Sequence, residues 1–183
     1  MINNDIKIRI AGSGGQGIIS AGIIIANAFF LKKFHVLQTE SYGAAVRGST
    51  AACNVIISLN PINEINMDEI NYLLVMNKTS FEAYISNLID GGTIILFESL
   101  WKEIKHLIKK VKLKVYVLND MEIIDVIGSA LPLSISLIGG FLKLVNLIPL
   151  EIVNEVIKNN LSQKNNVINI KALKLGYEKI IKI

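Results

Sequence analysis

A strand, a glycine-rich bend and a wholly apolar helix follow one another near the start of the chain, and that succession restricts the fold more than any other feature. Ile6 to Ala11 (IKIRIA) alternates apolar with basic residues, as a strand does. Gly12-Ser13-Gly14-Gly15-Gln16-Gly17 comes next, and Ile18 to Leu31 then carries no charged side chain at all. A helix apolar on every side must be covered on every side. The bend therefore has to deliver α1 (Ile18 to Leu31) onto a sheet with further helices packed over it, which is the beginning of a layered α/β architecture.

The rest of the chain repeats this alternation. Strands are expected at His35 to Thr39, Ala51 to Leu59, Tyr72 to Met76, Thr93 to Phe97 and Lys114 to Leu118. Asn60-Pro61 stops the second of these. Thr79 and Glu82 have the spacing of a capping box, so a helix should begin there and end at Asp90-Gly91-Gly92. Leu100 to Lys112 is a Lys-rich amphipathic stretch. The last third reads as helices over Met121 to Ile127, Leu133 to Leu147, Pro149 to Asn159 and Ile170 to Ile181. Pro149 suits a first helical turn, where its missing N–H costs nothing. No crossover helix separates the strands between Ala51 and Met76, so one antiparallel pairing is expected there. The expectation is a three-layer α/β/α arrangement around a largely parallel sheet, with residues 1–183 forming a single domain.

Composition narrows the function. Of 183 residues 51% are hydrophobic and 19% charged, which excludes a disordered chain. The one cysteine, Cys53, excludes a disulfide scaffold and cannot hold an iron–sulfur cluster or structural zinc alone. A net charge of +4 with 7% aromatic residues gives no nucleic-acid-binding face. The polar opening residues do not read as an export signal. Val126 to Leu142 is uncharged but short for a membrane span and interrupted by Gly128, Pro132, Gly139 and Gly140, so it reads as a buried helix. These features predict a cytoplasmic protein that meets no membrane and uses a subunit interface to cover surplus apolar surface.

Two motifs are candidates for chemistry. In the first, Gly12, Gly14, Gly15, Gln16 and Gly17 lie where a backbone can turn tightly against an anion and a helix N-terminus can offer its free N–H groups. Glu40 follows at about the spacing of a ribose-binding acid in dinucleotide folds, so an NAD(P)-binding oxidoreductase domain is one reading. A ligand-free turn packed on a neighbour is another. The second motif is Ser41-Tyr42-Gly43-Ala44-Ala45-Val46-Arg47-Gly48. Arg47, one of two arginines in the chain, can present a planar fork to a carboxylate or phosphate, or can bridge to Glu40 or a partner chain. The small residues around it imply close approach of another surface. His35 and His106 have no acids at metal-ligand spacing, and Cys53 alternates with Val55 and Ile57 as a small buried hydrophobe.

Together, Gly12-Ser-Gly-Gly-Gln-Gly17, Ser41-Tyr-Gly-x-x-x-Arg-Gly48 and Cys53-Asn54-Val55-x-x-Ser58 resemble the gamma subunit of 2-oxoacid:ferredoxin oxidoreductases, a group that includes the pyruvate and 2-oxoglutarate enzymes. The corresponding subunit of indolepyruvate oxidoreductase is similar. The likeness continues more loosely through Asp90-Gly91-Gly92, Leu137-Ile-Gly-Gly140 and Ala172-Leu-Lys-Leu-Gly-Tyr177. It implies an accessory, non-catalytic subunit of an anaerobic cytoplasmic complex that oxidatively decarboxylates a 2-oxo acid to an acyl-CoA and reduces ferredoxin. It also implies alpha, beta and ferredoxin-like delta partner chains, with thiamine diphosphate and iron–sulfur clusters held by those partners and coenzyme A bound near this subunit. The motif residues Gly12, Gly14, Gly15, Gln16, Gly17, Ser41, Tyr42, Gly43, Arg47 and Gly48 would then face a cofactor or a partner. The chain departs from the family pattern at Ser49, after Pro61-Ile62, across Asn119-Asp120-Met121-Glu122 and at Gly128-Ser129. Those departures leave the choice of 2-oxo acid unassigned.

Overall fold

The structure is a computed structural model that describes residues 5–42, 50–108 and 112–183, with Tyr42 described by its backbone only. The chain runs β1 (Ile6–Ser13), α1 (Ile18–Leu31), β2 (His35–Tyr42), β3 (Thr50–Ser58), β4 (Ile70–Val75), α2 (Lys78–Tyr84), β5 (Leu88–Phe97), α3 (Glu98–Ile104), β6 (Lys114–Leu118), α4 (Asp120–Ile127), α5 (Leu133–Val145), α6 (Leu150–Asn160), α7 (Asn166–Lys179) and β7 (Ile181–Lys182). The strands form one sheet in the order β2-β3-β1-β4-β5-β6-β7. β1, β4, β5 and β6 pair in parallel, while β3 is antiparallel to both β1 and β2. The edge strand β7 is antiparallel to β6. β2 consequently points the same way as β1, with β3 reversed between them.

The period-2 alternation of each strand divides its side chains between two layers. Ile8, Ile10, Cys53, Val55, Leu74 and Ile95 face a core closed by α1, α5, α6 and α7. Ala11, Ala52, Leu73, Ile94, Leu96 and Val117 face a second core closed by α2 and α3. The three-layer expectation holds. α1 is buried on several sides as its sequence requires, with the Phe29 ring 5.3 Å from Phe34 and 6.4 Å from Phe141. Gly22 is what lets it lie so close to β3, because a Cβ there would collide with the Cys53 sulfur. α5, the centre of the uncharged stretch, packs on α7 through Gly139 and Gly176, each facing backbone of the other helix. Among the described residues no helix is long and apolar enough to cross a membrane.

Several boundaries differ from the sequence expectation. α2 begins at Lys78, capped by the Asn77 side chain, which accepts from Ser80 N; the Thr79–Glu82 pair does not cap it. It ends at Tyr84, followed by a 3₁₀ turn through Asn87, and Asp90-Gly91-Gly92 lies inside β5. Gly91 there has φ +77°, so the residue that resembled a helix stop instead serves an irregular entry into the sheet. α3 is shorter than its Lys-rich stretch, giving way to a 3₁₀ turn over Lys105–Leu107. Pro149 caps α6 from outside its first turn, with extended backbone. At Asn119–Glu122 the Asn119 side chain accepts from Glu122 N at 3.0 Å and caps α4.

Candidate functional site

Parallel α/β sheets collect ligands and partners beyond the carboxyl ends of their strands. β1 ends there in the glycine-rich loop, whose shape follows from its side chains as much as from its glycines. Gly12 is buried, and a Cβ on it would lie 2.5 Å from Gln16 Oε1 and 2.7 Å from Ile18 Cδ1. Gly17 closes the loop at φ +73°, with the buried Ser134 Oγ 2.7 Å from where a Cβ would stand. Gln16 folds back into the loop: its Oε1 accepts from Ser13 N at 2.6 Å, while Gln16 N donates to Ser13 O at 3.2 Å. Gly14 and Gly15 are exposed, with open space where a side chain would begin.

Behind the loop stands a residue that sequence reasoning passed over. Asn77 follows β4, the parallel neighbour of β1, and Met76 N donates to Ala11 O at 2.9 Å to extend that pairing. Asn77 Nδ2 donates to Ser13 Oγ at 2.9 Å and to Gln16 Oε1 at 3.3 Å. The signal available in the sequence was an Asn three residues before Ser80, a spacing suited to an N-cap.

α1 begins at Ile18 with no capping side chain and no acidic residue in its first turn. Its first intrahelical bond is Ala21 N to Gly17 O at 2.9 Å. The N–H groups at Ile18, Ile19 and Ser20 therefore have no acceptor within the helix, and the helix end carries roughly half a positive charge. They border a cleft of about 340 Å³ lined by Ser13, Gly14, Gly15, Gly17 and Ala51. A second, apolar cleft of about 280 Å³ lies on the other side of the loop, between Gly15, Gln16, Met76, Leu131 and Leu133. The larger cavity of about 510 Å³ between Asn146–Glu151 and Tyr177 touches none of the motif residues.

The second motif begins at the same end of the sheet. In register, Gly12 lies opposite Ala51 and Ala51 opposite Tyr42, so the close of β1, the start of β3 and the close of β2 form one row. Ser41 is exposed on that edge. Gly43, Arg47 and Gly48 lie outside the described residues. Glu40 is opposite Cys53, and Cys53 opposite Ile10. With strands about 4.8 Å apart, this places Glu40 about 10 Å across the sheet from β1. A dinucleotide fold sets its ribose acid on the strand adjoining β1. Here β3 occupies that place.

The two remaining notable groups are structural. Arg9 is buried in the other layer, where its guanidinium donates to Asn54 Oδ1 and Asn87 Oδ1, both at 2.8 Å, and to Met67 O at 3.1 Å. It lies over the Tyr84 ring, 4.7 Å from the centroid. Burial lowers its pKa, an effect opposed by Tyr84 and Asp68. Cys53 is fully buried, and burial pushes its thiol up to about 11, with a bond from Gln38 Nε2 opposing the rise and Glu40 adding to it. No three His, Cys, Asp or Glu residues among those described come together as a metal site.

The loop's internal bonds come from a hydroxyl and two amides, Ser13, Gln16 and Asn77, beside an open helix N-terminus. None of these three side chains is titratable, and the N–H groups of the helix end face the adjoining cleft. A family model described as pyruvate ferredoxin/flavodoxin oxidoreductase matches residues 7–179. The chain belongs to this family, as a gamma-type subunit of a 2-oxoacid:ferredoxin oxidoreductase. It is 30% identical over 174 residues to the 2-oxoglutarate synthase subunit KorC of Archaeoglobus fulgidus, covering 95% of this chain and 87% of that one. It is 28% identical over 182 residues to the common gamma subunit of the pyruvate/ketoisovalerate oxidoreductases of Thermococcus litoralis, covering 96% and 97%. The crystal structure of a keto/oxoacid ferredoxin oxidoreductase gamma subunit from Geobacter sulfurreducens matches with a TM-score of 0.83 at 25% identity, covering 96% of each chain.

Proposed function

We propose that residues 1–183 form one gamma-type domain whose Gly12–Gly17 and Ser41–Gly48 segments together face partner subunits and the anionic part of coenzyme A. The chain would work in the cytoplasm beside alpha, beta and ferredoxin-like delta chains, in a complex that converts a 2-oxo acid to an acyl-CoA and reduces ferredoxin. The observation that carries this reading is the row Gly12, Ala51, Tyr42, which brings the described ends of both motifs to one edge of the sheet.

The residues present fit some of the family's groups and not others. A phosphate of coenzyme A suits the N–H groups at Ile18–Ser20, where an uncapped helix end with no first-turn acid favours negative charge. Arg47, three residues before Thr50 in sequence, would add a planar fork to the same anion. An iron–sulfur cluster does not fit, because the lone cysteine is buried with its thiol raised to about 11. Thiamine diphosphate does not fit either: the sequence has no Gly-Asp-Gly diphosphate motif. On partner chains, thiamine diphosphate would supply decarboxylation and the clusters would carry electrons to ferredoxin. This chain's part is to bind and orient the acyl acceptor. The T. litoralis relative is by name common to two oxidoreductases. We extend that to this chain and assign the choice of 2-oxo acid to its partners.

Co-expression with the partner chains tests the reading, with CoA-dependent, 2-oxo-acid-dependent dye reduction as the assay. The chain alone should be inactive, and Arg47→Ala in the complex should raise the KM for coenzyme A or impair assembly. Activity of the isolated chain would overturn the accessory role. Wild-type assembly and KM in Arg47→Ala would remove Arg47 from the site. Micromolar binding of NADH to the purified chain would restore the dinucleotide reading.

A further inference from the structure

We infer that Asn77 is the positioning residue of the glycine-rich loop, a single amide that locks the loop to the start of α2. The loop's importance to coenzyme A and partners rests on the function proposed above; the lock itself rests on geometry alone.

The Asn77 side chain does two opposite things at once. Its Oδ1 accepts from Ser80 N at 2.8 Å and caps α2, while its Nδ2 donates to Ser13 Oγ at 2.9 Å and Gln16 Oε1 at 3.3 Å. Gln16 Oε1 is itself committed to Ser13 N at 2.6 Å. The position therefore needs a donor and an acceptor on separate atoms, one turned to α2 and the other long enough to reach Gln16, which the asparagine amide supplies. Aspartate caps a helix as well as asparagine does but has no N–H to give. In Asn77→Asp, a carboxylate oxygen would face Gln16 Oε1, acceptor against acceptor, and Gln16 could turn its amide to relieve this only by abandoning Ser13 N. The cap survives, and the Ser13 hydroxyl can turn to donate to the carboxylate, so what the variant removes is the tie to Gln16. Since an anion cradle works by the direction of its N–H groups, a loop released by a fraction of an ångström binds less well without altering chemistry elsewhere.

The test uses the full chain and the reconstituted complex. In Asn77→Asp, amide exchange at Ser13 and Gln16, whose N–H groups are bonded within the loop, should quicken about tenfold, the order expected for one lost hydrogen bond, with Ser80 N staying protected. In the complex the KM for coenzyme A should rise about tenfold with kcat within about twofold, a split that general destabilisation would not give. Asn77→Ser, which caps but is too short to reach Gln16, should quicken loop exchange in the same way and serves if the aspartate variant does not fold. Unchanged loop exchange in both variants overturns the assignment. Faster loop exchange with wild-type KM and assembly would uphold Asn77 as the lock and remove the loop from the coenzyme site.

Discussion

Gly12→Ala probes the same loop from the inside, and the structure fixes what the added methyl meets. Gly12 lies in β1 without a positive φ, so alanine's backbone preferences are satisfied and the whole effect comes from the new Cβ. That atom would stand 2.5 Å from Gln16 Oε1 and 2.7 Å from Ile18 Cδ1, where ordinary contact begins near 3.4 Å. Both are ends of flexible side chains, so space can be made. Gln16, however, must retreat by nearly an ångström, and its 2.6 Å bond from Ser13 N does not survive that. Losing the bond costs about 1 kcal/mol and the crowding at Ile18 about 1 more. Alanine's reduced freedom in the unfolded chain returns roughly 0.5 kcal/mol. The net of about 1.5 kcal/mol corresponds to a fall in Tm of about 3–6 °C for a chain of this length. Thermal unfolding of the full chain measures it, and amide exchange at Ser13 should rise alongside. A Tm equal to or above wild type, with Ser13 still protected, would show that Gln16 does not brace the loop.

Two further outcomes are expected. Gly176→Ala would normally stabilise a helix by about 1 kcal/mol, but here its Cβ would strike the Ser136 backbone across the α5–α7 contact, which cannot yield as a side chain can. We expect a net loss of about 2 kcal/mol or more in urea unfolding, and a gain would disprove the close helix contact. For Cys53, a thiol pKa raised from 9.0 to about 11 means that the unfolded state releases its proton first. Its contribution to stability is complete below pH 9 and disappears as pH climbs through about 11. Cys53→Ala should therefore lose less stability than the parent between pH 8 and pH 11, and parallel pH profiles would contradict the burial argument.

The strand–loop–helix unit was legible because each part has a strong local cause: alternation in β1, glycines where side chains do not fit, and an apolar helix with definite ends. α1 and β6 begin and end where the sequence places them. The insertion of β3 was only partly legible. The missing crossover helix pointed to an antiparallel pairing within Ala51–Met76, but β3 and β4 are not neighbours; β3 pairs antiparallel with β1 and β2 instead, and nothing local places it between them, since its partners on β1 lie 37 to 51 positions away. That placement also separates Glu40 from the dinucleotide position its spacing suggested. Asp90-Gly91-Gly92 misled because a glycine with positive φ serves a helix stop and a strand irregularity equally well. Asn77 was missed for a related reason. Its cap is a local relation, but its bonds to Ser13 and Gln16 span 64 and 61 positions and have no trace in spacing.

That long reach has a consequence for how the protein is made. A loop held only by its own glycines could set as soon as it was synthesised, whereas this one waits until β4 has docked beside β1 and carried Asn77 into place. A nascent or truncated chain lacking that strand would carry an unfinished loop. The order of the loop is thereby tied to a closed half-sheet, so that any event parting β4 from β1 also releases Ser13 and Gln16 from Asn77.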